Sequence, residues 1–466
     1  MQIKFGTDGW RAIIGKDFTT DNVARVAKAT AQWIKNNQAN LTAVIGHDAR
    51  FAGQLFTETA AKVLVGEGIK VFMADRMIST PMLSLACHQL QTGIGIVITA
   101  SHNPPSYNGY KLKSNYGGPT SPKEITAVEL LIEDKVDIPN FNIDDLIQDG
   151  RVELINMEEL YYDHVMKNFD MDRIRNSGLV FAYDAMYGAG QVIVPRLLPD
   201  IIAIHCDDNP GFKGIAPEPL HKNLLEFSEL ISKSSDIQFG FANDGDADRI
   251  GAYDSQGRFV DSHHILLLLI QYLHQYKGMT GKIAVSFTVS NRVKKLCEIY
   301  NLPYEVTPVG FKYICDIMIA EDVLVGGEES GGIAVKGHIP ERDGVWNALL
   351  LMEFMAITGK SIDELIEEIY TLVGSFAFER YDLHITEELK QKIVKKCQAG
   401  DFKSFGAYEI KETENLDGWK YNFDENSWVM IRASGTEPVL RVYSESNTQE
   451  EVFKILDTVK EILLKE

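Results

Sequence analysis

The chain is expected to be an α/β protein, and three observations carry that reading. Short apolar runs recur at residues 43–46, 94–98, 179–183 and 282–286, each the size of a buried strand. Helical periodicity fills the intervals, for example at 23–35, 55–66 and 346–358. The polar loops richest in reactive side chains follow strand-like runs, as in layered α/β sheets, where ligands gather at the carboxyl ends of strands. The last segment differs: short strands mix with charged helices such as 448–464, which reads as α+β.

At 466 residues and 45% apolar content the chain can bury several cores, and length alone suggests about three domains. The polar stretch 134–151 precedes a linking helix at 157–168, so a first boundary falls near residue 155. A turn-rich stretch at 253–257 marks a second boundary, and Gly374-Ser375 after a helix at 362–370 marks a third. The resulting segments are 1–155, 156–255, 256–373 and 374–466. The three leading segments read as divergent copies of one α/β unit.

The formal charge of −20 argues against nucleic acid and anionic membrane as partners. The first residues lack a signal-peptide apolar region, and the longest aliphatic run, 265–270, is too short to span a bilayer, so a soluble cytoplasmic protein is expected. Five scattered cysteines, Cys87, Cys206, Cys297, Cys315 and Cys397, show no metal spacing and suit a reducing compartment.

Three segments carry chemistry. In Thr99-Ala100-Ser101-His102-Asn103-Pro104-Pro105 the apolar strand stops and the prolines forbid helix, which leaves Ser101 exposed on a stiff turn as a candidate nucleophile. In Asn243-Asp244-Gly245-Asp246-Ala247-Asp248-Arg249 three carboxylates alternate with small residues and repel one another unless a cation sits among them. A calcium loop is excluded, because Arg249 stands where that loop needs Gly and Ser255 where it needs Glu. Oxygen ligands with room for a phosphate oxygen favour Mg²⁺ over Zn²⁺. In Arg432-Ala433-Ser434-Gly435-Thr436-Glu437-Pro438, followed by Arg441, hydroxyls, backbone N–H groups and forked cations can converge on a phosphate. Serine carrier, carboxylate metal site and phosphate clamp together point to phosphoryl transfer.

With these residues in order, the chain resembles the alpha-D-phosphohexomutase family along essentially its whole length. Phe5-Gly6-Thr7-Asp8-Gly9-Trp10-Arg11 matches the family's first motif, and residues 99–104 with Asn108-Gly109 and Lys111 match its phosphoserine loop. Residues 244–249 match the metal loop, Gly327-Glu328-Glu329-Ser330-Gly331 the sugar loop, and residues 432–436 the phosphate loop. The resemblance implies three similar mixed α/β domains plus a smaller α+β C-terminal domain around a central cleft. It implies a phosphoserine at Ser101 that phosphorylates a hexose 1- or 6-phosphate, then recovers the other phosphate from the bound hexose 1,6-bisphosphate. Mg²⁺ would sit on Asp244, Asp246 and Asp248 with one phosphoserine oxygen of Ser101. Arg249 and Arg11 would add cationic charge, His102 would support the loop, and Lys111 would take the hydroxyl proton, which requires a depressed pKa.

Glu328 and Ser330 would hold the sugar hydroxyls. Residues 307–312 and 338–344 resemble specificity loops of glucose-type members, which makes Thr307, Gly310, Lys312 and His338 candidate substrate contacts. Arg432, Ser434, Gly435, Thr436 and Arg441 would bind the phosphate that is not reacting. An acidic protein needs a local basic island for such a substrate, and Arg11, Arg50, Lys111, Arg249, Lys312, Arg432 and Arg441 all lie in or beside these loops. Gly332 stands where many mannose-type members have His, while Glu437-Pro438 follows the mannose- and glucosamine-type pattern. Glucose is therefore the first choice of sugar, mannose the second and glucosamine the third. The expected partners are small-molecule hexose phosphates, and the expected assembly is a monomer or homodimer. The rival readings are an aspartyl phosphatase using Asp244 and Asp246, which leaves Ser101 and the arginine loop without a role, and a non-catalytic sugar-phosphate sensor, for which Ser101, Lys111 or a metal Asp should be missing.

Overall fold

The computed structural model describes residues 2–434 and 439–465. Packing divides the chain into two compact units, one of Met1–Lys282 with Gly310–Leu365 and one of Ile283–Val309 with Ile366–Glu466.

The first sheet of the first unit contains β1 (Trp10–Ile13), β2 (Thr42–His47), β3 (Lys70–Ala74), β4 (Ile94–Ile98), β5 (Tyr107–Lys113) and β6 (Val152–Ile155), in the order β1-β5-β4-β2-β3-β6. β2, β3, β4 and β6 run parallel, whereas β5 and β1 are antiparallel additions at one edge. Every residue of β4 is buried, because helices cover both faces of a parallel sheet and leave no polar side for alternation. The helices α1 (Thr20–Asn37) and α2 (Gly53–Gly66) pack together and contribute Val26, Trp33, Phe56 and Leu64 to a core shared with Ile45, Ile96 and Tyr110.

The second sheet repeats this plan. β7 (Val180–Asp184), β8 (Ile202–Ile204) and β9 (Ile237–Asn243) are parallel, and β10 (Ile250–Asp254) and β11 (Phe259–Val260) complete the order β11-β10-β9-β7-β8 antiparallel. Further along the chain, β12 (Lys282–Ser286) and β13 (Tyr304–Thr307) are parallel, and β14 (Val323–Gly327) and β15 (Ile333–Val335) form an antiparallel pair. Three times, therefore, a buried strand hands over through a polar turn to an antiparallel neighbour: β4 to β5, β9 to β10, β14 to β15. Those turns carry Ser101, the three aspartates and Glu328.

In the second unit β16 (Ala377–His384) leads to the small hairpin of β17 (Ser404–Phe405) and β18 (Tyr408–Glu409). β19 (Glu412–Glu414), β20 (Trp419–Asn422), β21 (Trp428–Ala433) and β22 (Val439–Ser446) follow, and the main sheet has the antiparallel order β16-β22-β21-β20-β19. The helix Gln449–Leu464 buries Val452, Ile455, Leu456 and Val459 against it, which makes the α+β layer expected for the carboxyl-terminal segment. The chain thus has three α/β domains followed by a smaller C-terminal α+β domain.

Helix starts differ from the periodicity by up to three residues because caps set them. Thr19 accepts from Asn22 N–H and starts α1 at Thr20, and Asp343 accepts from Trp346 N–H and starts a helix at Gly344. Among the described residues no helix is long and apolar enough to cross a membrane. All five cysteines are free.

Candidate active site

Ser101 occupies the turn between β4 and β5 with φ 52, a left-handed backbone that costs a non-glycine residue on the order of 1–3 kcal/mol. Its hydroxyl donates to Asp244 Oδ2 at 2.7 Å. The sequence reading of an exposed serine is corrected here: Ser101 is 1% exposed, because the metal loop packs against it. Gly245 makes that approach possible, since a Cβ there would lie 2.5 Å from the Ser101 carbonyl oxygen. The left-handed turn also brings neighbouring side chains together, with Ser101 Oγ 3.3 Å from His102 Nδ1. Burial, and then Arg249, Arg11, Lys111 and Arg50, hold the imidazole well below its ordinary pKa.

Asp244, Asp246 and Asp248 are fully buried, and one carboxylate oxygen from each lies within 4.8 Å of the others. Asp244 hydrogen-bonds Arg249 N–H through Oδ1 and Ala247 N–H through its carbonyl, which folds the loop so that alternate carboxylates face inward. Burial, then the charges of Asp246 and Asp248, push the Asp244 carboxyl well above the ordinary range. Asp246 goes the other way: burial opposes its ionisation, but Lys111 and Thr80 outweigh it and keep it a carboxylate. Asp246 Oδ1 and Asp248 Oδ1 are buried with no hydrogen-bond partner. Two buried carboxylate oxygens without a hydrogen-bond partner, in an all-oxygen donor set, fit a hard cation such as Mg²⁺.

Lys111 lies under this loop, fully buried, with Nζ 2.7 Å from Asp246, 2.9 Å from Asp8 and 3.2 Å from Asp248. Burial alone would lower its pKa, but the three carboxylates outweigh it and raise it above the ordinary lysine value. The depressed pKa expected of a proton acceptor is therefore not found: in this arrangement Lys111 is an ammonium donating to carboxylates.

Sequence reasoning missed the rest of this network. Asp8 also meets Lys113 at 3.7 Å and Arg342 at 2.5 Å, and Arg342 meets Asp248 at 2.8 Å. Lys113 pairs with Glu341 at 2.6 Å. Burial would raise Asp8, yet Lys111, Lys113, Arg342 and Arg11 hold its carboxyl well below the usual range. Lys113 had a signal, since it shares the inward face of β5 with Lys111 two residues away. Arg342 had none beyond its place in the 338–344 stretch.

The sugar-loop residues come close to the metal loop. Gly331 carbonyl accepts from Ile250 N–H at 3.2 Å, which ties the β14–β15 turn to the start of β10. Glu328 is buried and accepts from Gly310 N–H at 2.9 Å. Burial raises its pKa to about 7 against the pull of Arg342 and Arg249. Gly310 has φ 131, a conformation open to glycine, and Ser330 is half-buried in the same turn as Glu328. Arg11 donates to Asn103 Oδ1 at 2.6 Å, and Arg249 sits 3.4 Å from Glu218. Lys312 borders a polar cleft of about 140 Å³ with Thr7, Asp8 and Gly9.

Two of the candidate substrate contacts are buried. His338 has a side chain 1% exposed; Nε2 pairs with Asp343 at 3.0 Å, Nδ1 faces His164 at 3.2 Å, and the ring stacks on Trp346 at 3.9 Å. It is a core histidine. Thr307, in the second unit, is buried and donates to the Pro308 and Val285 carbonyls.

Also in the second unit, Arg432 and Arg441 stand directly opposite on β21 and β22. Like charges in that register are unfavourable without an anion nearby, and Asp417 and Asp382 lie 3.3 and 3.9 Å from them. Ser434 N–H bonds to the Val439 carbonyl. Gly435 and Thr436 lie outside the described residues.

A sheet plan used three times, with a serine turn against an aspartate loop, belongs to a fold that recurs in known proteins. Family models described as phosphoglucomutase/phosphomannomutase domains match at residues 2–137 (domain I), 159–257 (domain II), 261–373 (domain III) and 403–462 (C-terminal domain). A phosphoglucomutase/phosphomannomutase of Thermococcus kodakarensis is 28% identical over 97% of this chain and 96% of its own. A phosphoglucosamine mutase of Methanococcus maripaludis is 30% identical over 89% and 90%. A solved structure from Thermus thermophilus, assigned as a phosphomannomutase, superposes with a TM-score of 0.88 at 30% identity over 99% of both chains. The chain belongs to the phosphoglucomutase/phosphomannomutase family, the alpha-D-phosphohexomutases.

Proposed function

We propose that this protein is a Mg²⁺-dependent hexose-phosphate mutase that interconverts glucose 1-phosphate and glucose 6-phosphate through a phosphoserine at Ser101. The observation that carries the reading is the hydroxyl of Ser101, 2.7 Å from Asp244 in a loop whose buried carboxylates leave two oxygens unpartnered. In the first half-reaction the Oγ–P bond of phosphoserine breaks as a P–O bond forms to the free sugar hydroxyl, whose proton ends, in net balance, on the released Ser101 Oγ. In the second half, the opposite phosphate of the bound hexose 1,6-bisphosphate returns to Ser101. Asp244, Asp246 and Asp248 would hold the magnesium, which would supply positive charge where phosphoryl negative charge is spread in transfer. Arg249 and Arg11 add fixed cations, Glu328 accepts a sugar hydroxyl, and Arg432 with Arg441 binds the phosphate that is not reacting.

Glucosamine phosphate is the second reading, favoured by the names of several relatives at 29–30% identity. A coupled assay over glucose, mannose, glucosamine and N-acetylglucosamine 1-phosphates, each with a trace of its bisphosphate, tests both. Greatest kcat/KM with glucose supports the first reading, and greatest kcat/KM with glucosamine replaces it with the second. Absence of turnover on all four refutes the mutase.

A further inference from the structure

We propose that Arg50 is a positioning residue for Ser101: its guanidinium fixes the left-handed serine turn and takes no part in holding phosphate. The inference rests on the reading of Ser101 as phosphoryl carrier. Arg50 follows β2, and its side chain is wholly buried. Nη2 donates to the carbonyls of Ser101 at 2.6 Å and Asn103 at 2.5 Å. Nη1 donates to those of Pro104 and Tyr107, each at 3.0 Å. Nε lies 3.4 Å from Asp48 Oδ2. Both Nη groups are spent on the turn, and Nε, without a hydrogen bond, faces Asp48 and is shut from solvent, so the guanidinium has no donor to offer a substrate. Arg50 therefore leaves the basic island that its sequence position suggested.

Asp48 completes the other half of the device. Its Oδ2 accepts from the Thr99 hydroxyl at 2.5 Å, and Thr99 Oγ1 in turn accepts from Ser101 N–H at 2.8 Å. The N–H and the carbonyl of Ser101 are thus both tied to one Asp–Arg pair, which holds the residue at φ 52. Glycine would adopt that backbone without help, but glycine has no hydroxyl to phosphorylate. An irregular turn with two prolines cannot satisfy its carbonyls from a strand ladder, and a planar fork of five donors can reach four of them where a lysine cannot.

The second sheet shows that the arginine is particular to the serine turn. Asp184 at the end of β7 accepts from Met186 N–H at 2.8 Å, as Asp48 accepts from Arg50 N–H at 2.9 Å. Methionine stands there in place of arginine, because the metal loop closes its carbonyls with backbone: Ala189 N–H bonds Gly245 O and Gly344 N–H bonds Ala247 O.

The test compares wild type with Arg50→Lys. Both are incubated with glucose 1,6-bisphosphate, phosphoryl transfer to Ser101 is followed by intact mass and peptide mapping, and kcat, KM and Mn²⁺ affinity are measured. Positioning predicts that Ser101 phosphorylation and kcat fall together by about 10- to 100-fold. KM and Mn²⁺ affinity stay within twofold, and guanidinium ion partly rescues Arg50→Ala. A raised KM at unchanged kcat makes Arg50 a substrate ligand and overturns the proposal. Equal phosphorylation rates in the two proteins overturn it alone, whereas wild type that never gains phosphate on Ser101 refutes the reading of the site as well. Should Arg50→Lys fail to fold, Thr99→Val removes the other half of the clamp; the same loss of kcat supports the proposal and an unchanged kcat overturns it.

Discussion

Ser101 joins two demands that no single backbone preference satisfies, a hydroxyl at a left-handed turn and burial against a carboxylate. Ser101→Ala deletes the group that carries phosphate and little binding surface, so turnover should fall by at least ~10³-fold with substrate affinity near wild type. Stopped assays with equilibrium binding of glucose 1-phosphate check this, and near-normal turnover free of wild-type contamination ends the mutase reading. Glu328 gives a pH prediction. Its carboxyl moves from an ordinary 4.5 to about 7 on folding, so between those values the folded chain holds a proton that the unfolded chain has lost. Stability must then fall as pH rises from 4.5 to about 7 and level off above. A hydroxyl-accepting carboxylate is available only above the same point, so KM for hexose phosphate should fall as pH rises through about 7. Glu328→Gln should remove this component from thermal melts and from the KM profile, and slopes equal to wild type would detach the effect from Glu328. Lys111 marks the limit of reading at this scale. Its type and position were legible, but its protonation depends on carboxylates 103 to 137 residues away in sequence, brought in by the fold.

At the scale of elements, the chemistry sits on turns between a buried strand and an antiparallel partner, and the metal loop is the tightest of them. Asp246→Asn removes one of three ligand charges and should weaken Mg²⁺ by about tenfold or more, with kcat falling alongside. Mg²⁺ titration calorimetry and activity in excess chelator check it; full activity with metal verified absent would contradict the site. Strand 94–98 and its proline-stopped turn were readable because a completely apolar run followed by Pro-Pro admits few alternatives. Helix starts were readable only to within a turn, since Thr19 and Asp343 cap by side-chain bonds that a hydrophobic period does not encode. The surroundings of His338 were hidden for a related reason. A histidine in a polar loop looks available, and only packing against His164 and Trp346 reveals it as core. Arg342 was invisible in the opposite sense, because its partner Asp8 lies 334 residues away.

At the scale of the molecule, the net charge of −20 coexists with buried cations, and Lys111, Lys113 and Arg342 are matched to carboxylates brought from distant segments. The same principle governs the second unit and changes where the chain can flex. Gly374-Ser375 reads as a hinge in the sequence, and Gly374 has φ 84, yet Arg292 spans the pair, donating to the carbonyls of Val373 and Ser375, each at 3.3 Å. The same guanidinium donates to Asn426 and to Asn447 and lies 3.9 Å from the buried Glu445. Lys420 adds a second tie from β20 to Asn291 at 2.7 Å. Rotation about Gly374-Ser375 would part the Val373 bond of Arg292 from its bonds to Ser375, Asn426 and Asn447, so the segment Ile283–Val309 and the carboxyl-terminal sheet should behave as one body. Arg292→Ala removes the tie and one of the two cations facing Glu445, which should destabilise the second unit by about 1.5–3 kcal/mol. In wild type, amide exchange over residues 371–380 should stay unchanged at saturating glucose 1,6-bisphosphate. In Arg292→Ala it should rise together with exchange near Asn426 and Asn447, while residues 244–249 keep their protection. Faster exchange at 371–380 in ligand-bound wild type would restore the hinge to Gly374-Ser375 and refute the clamp.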